Sequence, residues 1–433
     1  MSYKFLVTGD IHLGRRTVHP SAEINDPQLS VSHSWQRLIE TAIEHQVEAV
    51  LITGDLIDKE NAWFEALHSL KSGLQQLDQN DIKVYAVAGN HDALVLSQLD
   101  EILAEIPCFS LLGKGRQWEQ VQHQCRDGNR IEIAGWSFDK EHLQVNPVAS
   151  GVPEPGGSLS ITLLHTDLNG PPDSRYAPVS ERELIDSGRP IWLLGHIHKL
   201  EVVREGSPFI LYPGSPHSLH ANETGMHGPW MMNIASDGRV HAEQIPLSPI
   251  RYEEIEISLD DLPEDWKSEF LSRVMQQFKG DQSTPVQWNV IDVICTGDPT
   301  HFDAIDQYFQ QDETEREIGG SPSIYIRKFV NRTSLPPANL ESMAERANLE
   351  GILARLLIQL DQPENSDALK ELLQEAGQVR QKVLRHDVFK PIHDDQDEEA
   401  SEPVTAEESE ELLKQAAREW LTELRKQSEE MQR

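Results

Sequence analysis

The sequence predicts an α/β protein with a layered α/β domain over residues 1–250, a small α+β domain over 251–334 and a helical C-terminal region. Short apolar strands alternate with helical segments through the first 250 residues, as in a layered α/β domain. Polar side chains follow several of these strands directly, where α/β sheets gather their ligands. Pro336-Pro337 then interrupts the chain before a helical stretch.

Apolar runs typical of buried strands recur through the first domain. They cover residues 5–8, 49–53, 84–88, 159–164, 191–194 and 209–212. Helical spacing lies between them. It is carried by residues 64–77 and by Trp35, Leu38, Ile39, Ala42 and Ile43. In the second domain, strands are predicted over 252–258, 286–294 and 323–330, and helices over 264–278 and 303–309.

Three further segments are predicted after residue 334. Residues 335–390 form a helical region, 391–411 an acidic linker and 412–433 a terminal amphipathic helix. The apolar stripes of these helices are Leu349, Ile352, Leu353, Leu356, Leu357 and Leu360, then Leu369, Leu372, Leu373 and Ala376, and finally Leu412, Leu413, Ala416, Ala417, Trp420, Leu421 and Leu424. Two interpretations stay open, because such stripes either pack within the chain or dock on a partner helix.

The amino-acid composition limits the classes of function that fit this chain. Lys and Arg total 38 against 72 Asp and Glu, a formal charge of −34. This argues against a general nucleic-acid binder. It does not exclude a nuclease, because metal ions supply positive charge locally. Three scattered cysteines indicate a reducing compartment. The N-terminus runs into a predicted strand rather than a signal peptide, and no apolar run nears a membrane span, so we expect a cytoplasmic protein.

Five polar groups stand at predicted strand ends. They are Asp10-x-His12, Gly54-Asp55, Gly89-Asn90-His91-Asp92, His165 and Gly195-His196-Ile197-His198. Residues i and i+2 of an extended segment point to one side, and glycine lets the chain approach closely. Oxygen and imidazole ligands without thiolate suit Mn, Fe, Zn or Ni. Each group alone is weak, but their order predicts a metal site.

The order of these blocks resembles the calcineurin-like metallophosphoesterase superfamily, over roughly residues 4–235. The resemblance implies a β-sandwich flanked by helices. It implies that Asp10, His12, Asp55 and His198 bind one metal ion and that Asp55, Asn90, His165 and His196 bind the other. A hydroxide between the ions would attack phosphorus in line. His91 would stabilise the transition state or protonate the leaving oxygen. Asp92 would either orient His91 or cap a helix.

Finer motifs are similar to the bacterial SbcD/YhaO-type DNA-repair exonucleases. They are Thr8 to Gly14, Gly54 to Asp58, Leu163 to Leu168 and Tyr212 to Pro216. This resemblance implies DNA as substrate, manganese, a homodimer, a capping domain at 251–334 and docking of 335–390 on an SMC-like coiled-coil ATPase.

Two points stay open on the sequence alone. Arg15 and Arg16 either contact DNA phosphates or are ordinary exposed arginines, and the cap offers only Arg316, Arg327, Lys328 and Arg332 as clustered bases. The alternative function is a cyclic-nucleotide or small-molecule phosphodiesterase with a C-terminal oligomerisation module.

Overall fold

The computed structural model describes most of the chain. The described residues are 2–15, 27–59, 65–103, 105–157, 159–278, 284–311, 316–333, 337–360, 369–370, 372–376, 378, 410, 413–418, 420–421 and 424. Some predicted features lie outside them. These are Arg16, the acidic linker apart from Glu410, and part of the helix predicted over 412–433.

Among the described residues, the first domain contains twelve strands. They are β1 (Ser2–Thr8), β2 (Ala49–Ile52), β3 (Lys83–Ala86), β4 (Phe109–Leu111), β5 (Glu119–Gln124), β6 (Arg130–Trp136), β7 (Ser160–His165), β8 (Ile191–Gly195), β9 (Glu201–Arg204), β10 (Phe209–Tyr212), β11 (Trp230–Ala235) and β12 (Val240–Gln244). One sheet has the order β12-β11-β1-β2-β3-β4, and the other β5-β6-β7-β8-β10-β9. The six predicted strands of this domain are confirmed, with small shifts at their ends.

Parallel pairing places the ligand-bearing loops on one edge of each sheet. Strands β1 to β4 pair in parallel, as do β6, β7 and β8. The carboxyl ends of parallel strands lie together, so the loops after β1, β2 and β3 emerge on one edge. The loops after β7 and β8 emerge together in the same way.

The two sheets share one apolar core and are flanked by helices. Phe5 and Val7 of β1 lie in a cluster with residues of both sheets, such as Ile133 and Leu163. Leu6, on the opposite face of β1, lies in the cluster that includes residues of α1 and α2. The helices are α1 (Val31–Glu44), α2 (Glu65–Gln79), α3 (Ala93–Leu103) and α4 (Glu181–Asp186). The predicted sandwich flanked by helices is therefore confirmed.

The second predicted domain contains a four-stranded sheet. Its strands are β13 (Ile250–Ser258), β14 (Trp288–Thr296), β15 (Glu317–Ile318) and β16 (Ser323–Asn331), in the order β13-β14-β16-β15, with helices α5 (Trp266–Gln277) and α6 (Phe302–Gln311). Aromatic rings of Phe270, Phe309 and Phe329 pack together here, with centroids 5.2 to 6.0 Å apart. The strands and helices predicted for this region are present.

The chain divides into two compact units. One comprises Met1–Glu253, Gly280–Ile291 and Glu317–Tyr325, and the other Glu254–Lys279, Asp292–Arg316 and Ile326–Arg433. Besides α5 and α6, the second unit contains helices α7 (Pro337–Ala344) and α8 (Leu349–Leu360). Ala417 and Leu421 are buried in a cluster with Leu357. The described part of the terminal stripe thus packs within the chain, although 63% of Trp420 is exposed.

A buried ion pair ties the second sheet to its connecting segments. Arg189 is 1% exposed, and its Nη2 lies 2.7 Å from Glu132 Oε1. Its Nε donates to Thr162 Oγ1 at 2.5 Å, and its Nη1 donates to the Pro153 carbonyl at 2.7 Å. Every nitrogen of the guanidinium therefore has an acceptor, which is the condition under which a buried ion is tolerated.

We expect Arg189→Ala to lower the free energy of unfolding by about 3–5 kcal/mol, because Glu132 is left as an uncompensated buried charge. Urea denaturation that follows the unfolding of the first unit measures this change in the free energy of unfolding. The matched control is Arg182→Ala. Arg182 is exposed and pairs with Asp186 one helical turn away, so its loss costs at most about 0.5 kcal/mol. Equal effects of both substitutions would contradict the assignment.

Candidate active site

The candidate site is built by loops that leave five strand ends. Asp10 and Asp55 follow β1 and β2, and Asn90 follows β3. His165 ends β7, and His196 follows β8. His165 Nε2 lies 3.5 Å from Asp55 Oδ2, a contact between residues carried by different sheets. The strand tips that the sequence indicated therefore converge on one place.

The loops hold their polar residues in an uncommon backbone conformation. Asp10, His12 and Asp55 have φ angles of 47°, 52° and 50°, and His196 has 98°. Non-glycine residues rarely adopt this region, and such strain persists where the surroundings over-determine it. Gly89 shows how close the packing is, because a Cβ there would lie 2.2 Å from Asp55 Oδ1.

Two groups of ligand atoms meet at these loops. Asp10, His12 and His198 form one group whose ligand atoms lie within 4.8 Å of one another, and Asp10, Asp55 and His165 form the other. The Nε2 atoms of His12 and His198 are 3.2 Å apart.

Asn90 and His196 lie beside these two groups. Asn90 Oδ1 lies 2.9 Å from His165 Nε2. The ring of His196 lies 5.4 Å from that of His165, and its backbone N–H donates to Asp10 Oδ1 at 3.1 Å. All seven predicted ligands are therefore gathered, with the His196 ring outside the two tight groups.

His91 lies at the mouth of the site, next to the buried ligands. Its ring centroid is 4.8 Å from that of His12, and 29% of its side chain is exposed. Its Nδ1 lies 4.0 Å from Asp58 Oδ1. Its backbone N–H donates to Asp55 Oδ1 at 2.9 Å, which fixes the loop. His91 is thus the imidazole that a bound substrate can reach.

Asp92 stands directly before α3, where the sequence suggested a helix cap, but its carboxylate bonds to the loops after β2 and β3. Its carboxylate is fully buried and accepts from the backbone N–H groups of Leu56 and Gly89, at 2.6 and 2.8 Å. The carboxylate facing the His91 ring belongs instead to Asp58. Asp92 therefore anchors the loop after β2 to the loop after β3, because buried backbone donors require partners. The expectation that Asp92 orients His91 is corrected in this way.

Glu223 is a residue that the sequence reasoning missed. It is buried, and its Oε1 lies 2.5 Å from His198 Nδ1 and 3.1 Å from His220 Nε2. Its Oε2 accepts from the backbone N–H of Leu219 at 2.6 Å. A carboxylate on the far nitrogen of a ligand histidine fixes the ring and its tautomer. No spacing signal marks Glu223, because it lies 25 residues after His198 in an irregular loop.

Burial and neighbouring charges set the protonation of the site. Burial lowers the pKa of His12 well below its usual value and that of His196 to about 3. Burial raises the pKa of Asp10. For Asp55 burial acts in the same direction, but nearby imidazoles, His165 first, outweigh it and hold the pKa below the ordinary range.

His198 is the exception among the buried imidazoles. Burial opposes its charge, yet the hydrogen bond to Glu223 and the nearby carboxylates raise its pKa to about 9.

The donor set fits divalent cations. Carboxylate oxygens, imidazole nitrogens and an amide oxygen converge with no thiolate among them, which suits borderline metals such as Mn, Fe or Zn. A cation would also offset the cost of burying Asp10 and Asp55 together. Two groups sharing Asp10 at adjacent positions are consistent with a pair of ions.

Residues 3–200 match the family model of calcineurin-like phosphoesterases. The uncharacterized metallophosphoesterase YhaO of Bacillus subtilis is 30% identical over 206 residues, which cover 47% of this chain and 49% of that protein. The DNA double-strand break repair protein Mre11 of Methanopyrus kandleri is 25% identical over 288 residues, 61% of each chain. The matches thus span about half of the length of these curated relatives.

A solved calcineurin-like phosphoesterase, YfkN from Bacillus subtilis, has a TM-score of 0.36 and 13% identity, covering 56% of this chain and 88% of that chain. Within the described part of this chain, no helix is both long and apolar enough to cross a membrane.

We expect Glu223→Gln to lower the pKa of His198 in the metal-free protein. A histidine whose pKa is raised by folding adds stability that is full below pH 6.5 and is lost as the pH rises through about 9. The difference in the free energy of unfolding between the native chain and the variant should therefore shrink as the pH rises from 6.5 through about 9. Urea unfolding in chelator, at a series of pH values, measures the difference. Glu243→Gln, on the exposed edge of β12, is the control, and parallel curves for native chain and Glu223→Gln would contradict the linkage.

Proposed function

We propose that the protein is a two-metal DNA exonuclease, with endonuclease activity as a second activity of the same site, on the premise that residues 3–200, which match the calcineurin-like phosphoesterase model, form such a domain. The observation that carries the proposal is the convergence of Asp10, His12 and His198 with Asp55 and His165 in one buried site. This site is open to substrate beside His91.

In this proposal Asp10, His12, Asp55 and His198 would hold one ion, and Asp55, Asn90, His165 and His196 would hold the other. The ions, proposed to be Mn²⁺, would supply Lewis-acid stabilisation of a phosphoryl group and an acidified water when bound. Glu223 keeps the His198 ring in the orientation that presents Nε2 to the site.

His91 acts on the substrate directly in this proposal. Its exposed ring stands against His12, so it can donate a hydrogen bond to a phosphoryl oxygen or pass a proton to the leaving oxygen. Asp58 Oδ1 lies 4.0 Å from its Nδ1, on the side of the ring away from the proposed proton transfer. Asp92 supports the reaction only by holding the loop that carries His91.

Several features favour DNA over a small ester. Relatives named as DNA double-strand break repair proteins share the matched region. A shallow cavity of about 410 Å³ is lined by Arg116, Lys140, His142 and Arg175, of which Arg116 is paired with Asp139. Ring contacts connect this cavity to the candidate site. The ring of His142 packs against that of Tyr176, and the ring of Tyr176 packs against that of His196. Such basic side chains suit the phosphates beyond the scissile one.

The candidate cap adds less positive charge than its sequence suggests. Arg327 donates to Asp292, and Lys328 lies 3.3 Å from the same carboxylate. Arg316 donates to backbone carbonyls of Phe309 and Arg327. These bases are engaged inside their own unit, so DNA affinity must come from elsewhere. We propose that Arg15, which lies near His12, and Arg16 contact DNA phosphates.

The same proposal includes the location of the protein, its oligomeric state and its partner. The protein would work in cytoplasmic DNA repair, as a homodimer bound to an SMC-like coiled-coil ATPase whose basic surface strengthens the hold on DNA. Residues 251–334 would cap the DNA, and residues 335–390 would dock on the ATPase. The net charge of −34 supports the need for a partner, because a chain so acidic repels a polyanion.

We expect His91→Ala to reduce cleavage of a linear duplex in Mn²⁺ by about 10²–10⁴-fold, the usual value of a general acid. Metal binding should stay intact, because His91 lies outside the proposed ligand set. Gel-resolved degradation measures the activity, and calorimetric Mn²⁺ titration measures the binding. The control is His241→Ala, an exposed histidine of β12. Full activity in His91→Ala would remove this residue from the mechanism.

A charge reversal separates DNA from small substrates. Lys140→Glu with Arg175→Glu should weaken duplex cleavage and make it less sensitive to salt, with the salt slope falling by roughly one for each phosphate that is no longer bound. Hydrolysis of bis(p-nitrophenyl) phosphate should not change. Arg239→Glu, at an exposed turn, is the matched control. Loss of both activities would mean a damaged fold.

Activity assays of the native chain distinguish the nuclease from the alternative, a cyclic-nucleotide or small-molecule phosphodiesterase. Robust hydrolysis of bis(p-nitrophenyl) phosphate or a cyclic nucleotide, with no metal-dependent cleavage of linear duplex even at low salt, would favour it. Duplex degradation that stops on adding chelator would favour the nuclease.

A further inference from the structure

A second cluster of potential metal ligands lies at the other end of strand β2. Glu48 comes directly before β2, whereas Asp55 of the candidate active site follows the strand. His123 lies in β5, and Cys125 follows it. One ligand atom from each of Glu48, His123 and Cys125 lies within 4.8 Å of the other two. This cluster shares no residue with the active site.

The imidazole of His123 has an unsatisfied nitrogen that faces this cluster. The residue is 3% exposed, and its Nε2 has no hydrogen-bond partner within the described part of the chain. The carboxylate of Glu48 stands 3.8 Å away, beyond hydrogen-bond distance. Buried polar nitrogens are nearly always paired, so this one requires an explanation.

The other ring nitrogen is already fixed. His123 Nδ1 lies 3.2 Å from the hydroxyl of Tyr85. When Nδ1–H donates to that oxygen, Nε2 carries a free lone pair directed at Glu48 and Cys125. A polar partner on the far nitrogen is the usual accompaniment of a metal-bound histidine. Tyr85 therefore supplies the outer support that such a ligand needs.

The surrounding chain holds the other two ligands in place. Cys125 begins a tight turn, in which its N–H donates to Asn129 and its carbonyl accepts from Gly128, both at 2.9 Å. The N–H of Arg126 donates to Glu48 Oε2 at 3.1 Å. The Arg126 guanidinium donates to the carbonyl of Val47 at 2.8 Å and fastens the turn to the segment before β2. The geometry is thus set without a metal.

We propose that Glu48, His123 and Cys125 bind one divalent cation of the zinc class, with water from the partly exposed Glu48 side as the fourth ligand. One thiolate, one imidazole and one carboxylate are ligands that Zn²⁺ takes. The thiolate and carboxylate charges cancel those of the ion, so no net charge is buried. Softer ligation by sulfur distinguishes this site from the active site, whose donors are oxygen and nitrogen.

The cation would join the two sheets. Glu48 leads into β2 of one sheet, and His123 and Cys125 belong to β5 and its turn in the other. β5 is an edge strand of its sheet, held on one side only by β6. A metal bridge here would fasten that edge to the facing sheet, and binding to the folded state alone would stabilise the domain.

Cobalt spectroscopy of the full chain tests this site separately from the active site. Co²⁺ is added after metals have been removed with chelator, and the near-ultraviolet sulfur-to-cobalt charge-transfer band is followed. The band requires a thiolate ligand, which the active site lacks. We expect the band to saturate with an amplitude that corresponds to one thiolate-bound Co²⁺ per native chain, in addition to any Co²⁺ that the active site binds, and we expect Zn²⁺ to displace it. Asp10→Asn should leave the band unchanged.

Three variants decide the assignment. Cys125→Ser should abolish the band, and Cys108→Ser, at another buried free cysteine, should keep it. Glu48→Gln, on a partly exposed side chain, should weaken Co²⁺ affinity at this site by at least the roughly 10–100-fold that removal of an outer hydrogen-bond partner typically causes. No band in the native chain, a band that survives Cys125→Ser, or unchanged affinity in Glu48→Gln would each overturn the proposal. If Cys125→Ser fails to fold, Glu48→Gln alone decides.

Discussion

The carboxylate of Asp55 is the contact around which the site is arranged. Its Oδ1 accepts from the backbone of His91, and its Oδ2 lies 3.5 Å from His165 and 3.9 Å from His12. Those partners come from three different loops and from both sheets. A buried carboxylate is costly unless it is paired, so the loops must meet at Asp55 for the fold to tolerate it. The same convergence makes a place for cations.

That convergence is held by backbone contacts as much as by side chains. The Asp92 carboxylate ties the loop after β2 to the loop after β3, and the close approach of Asp55 leaves no room for a Cβ at Gly89. Asp10, His12 and Asp55 are held at positive φ angles. Strain of this kind survives only where several contacts fix the same loop. These backbone contacts therefore fix the positions of the loops that carry the site.

The negative net charge of the chain is compatible with the proposed cleavage of DNA, because a substrate responds mainly to the charges near the site. The formal charge is −34, but charges beyond about 10 Å are screened at ordinary ionic strength. In the proposed function, a substrate would meet the imidazole of His91 and the bases Lys140 and Arg175 of the described cavity. In the second unit Arg327 is paired with Asp292, although more than half of the Lys328 side chain beside it is exposed. Recognition in this proposal therefore depends on local charge rather than on net charge.

The sequence by itself determined the architecture of the first domain and the identity of the residues that gather. Buried parallel strands are continuous apolar runs, so 5–8, 49–53 and 191–194 were recognisable, and the polar residues after them had to share an edge. Strands such as β5 and β12 were not recognisable, because edge strands are polar on one or both faces and lack such a run. The five motif blocks fixed which side chains would meet, since each block is local in sequence.

Only the tertiary structure decided the partners of those side chains. Glu223 supports His198 from 25 residues away, Asp58 rather than Asp92 faces His91, and Glu48 meets Cys125 across two sheets. Ala417 and Leu421 of the terminal segment are buried in one cluster with Leu357, whereas Trp420 is exposed. The physical reason is common to all four. Periodicity and spacing report contacts within an element, whereas these contacts depend on loop paths and on how separate elements pack.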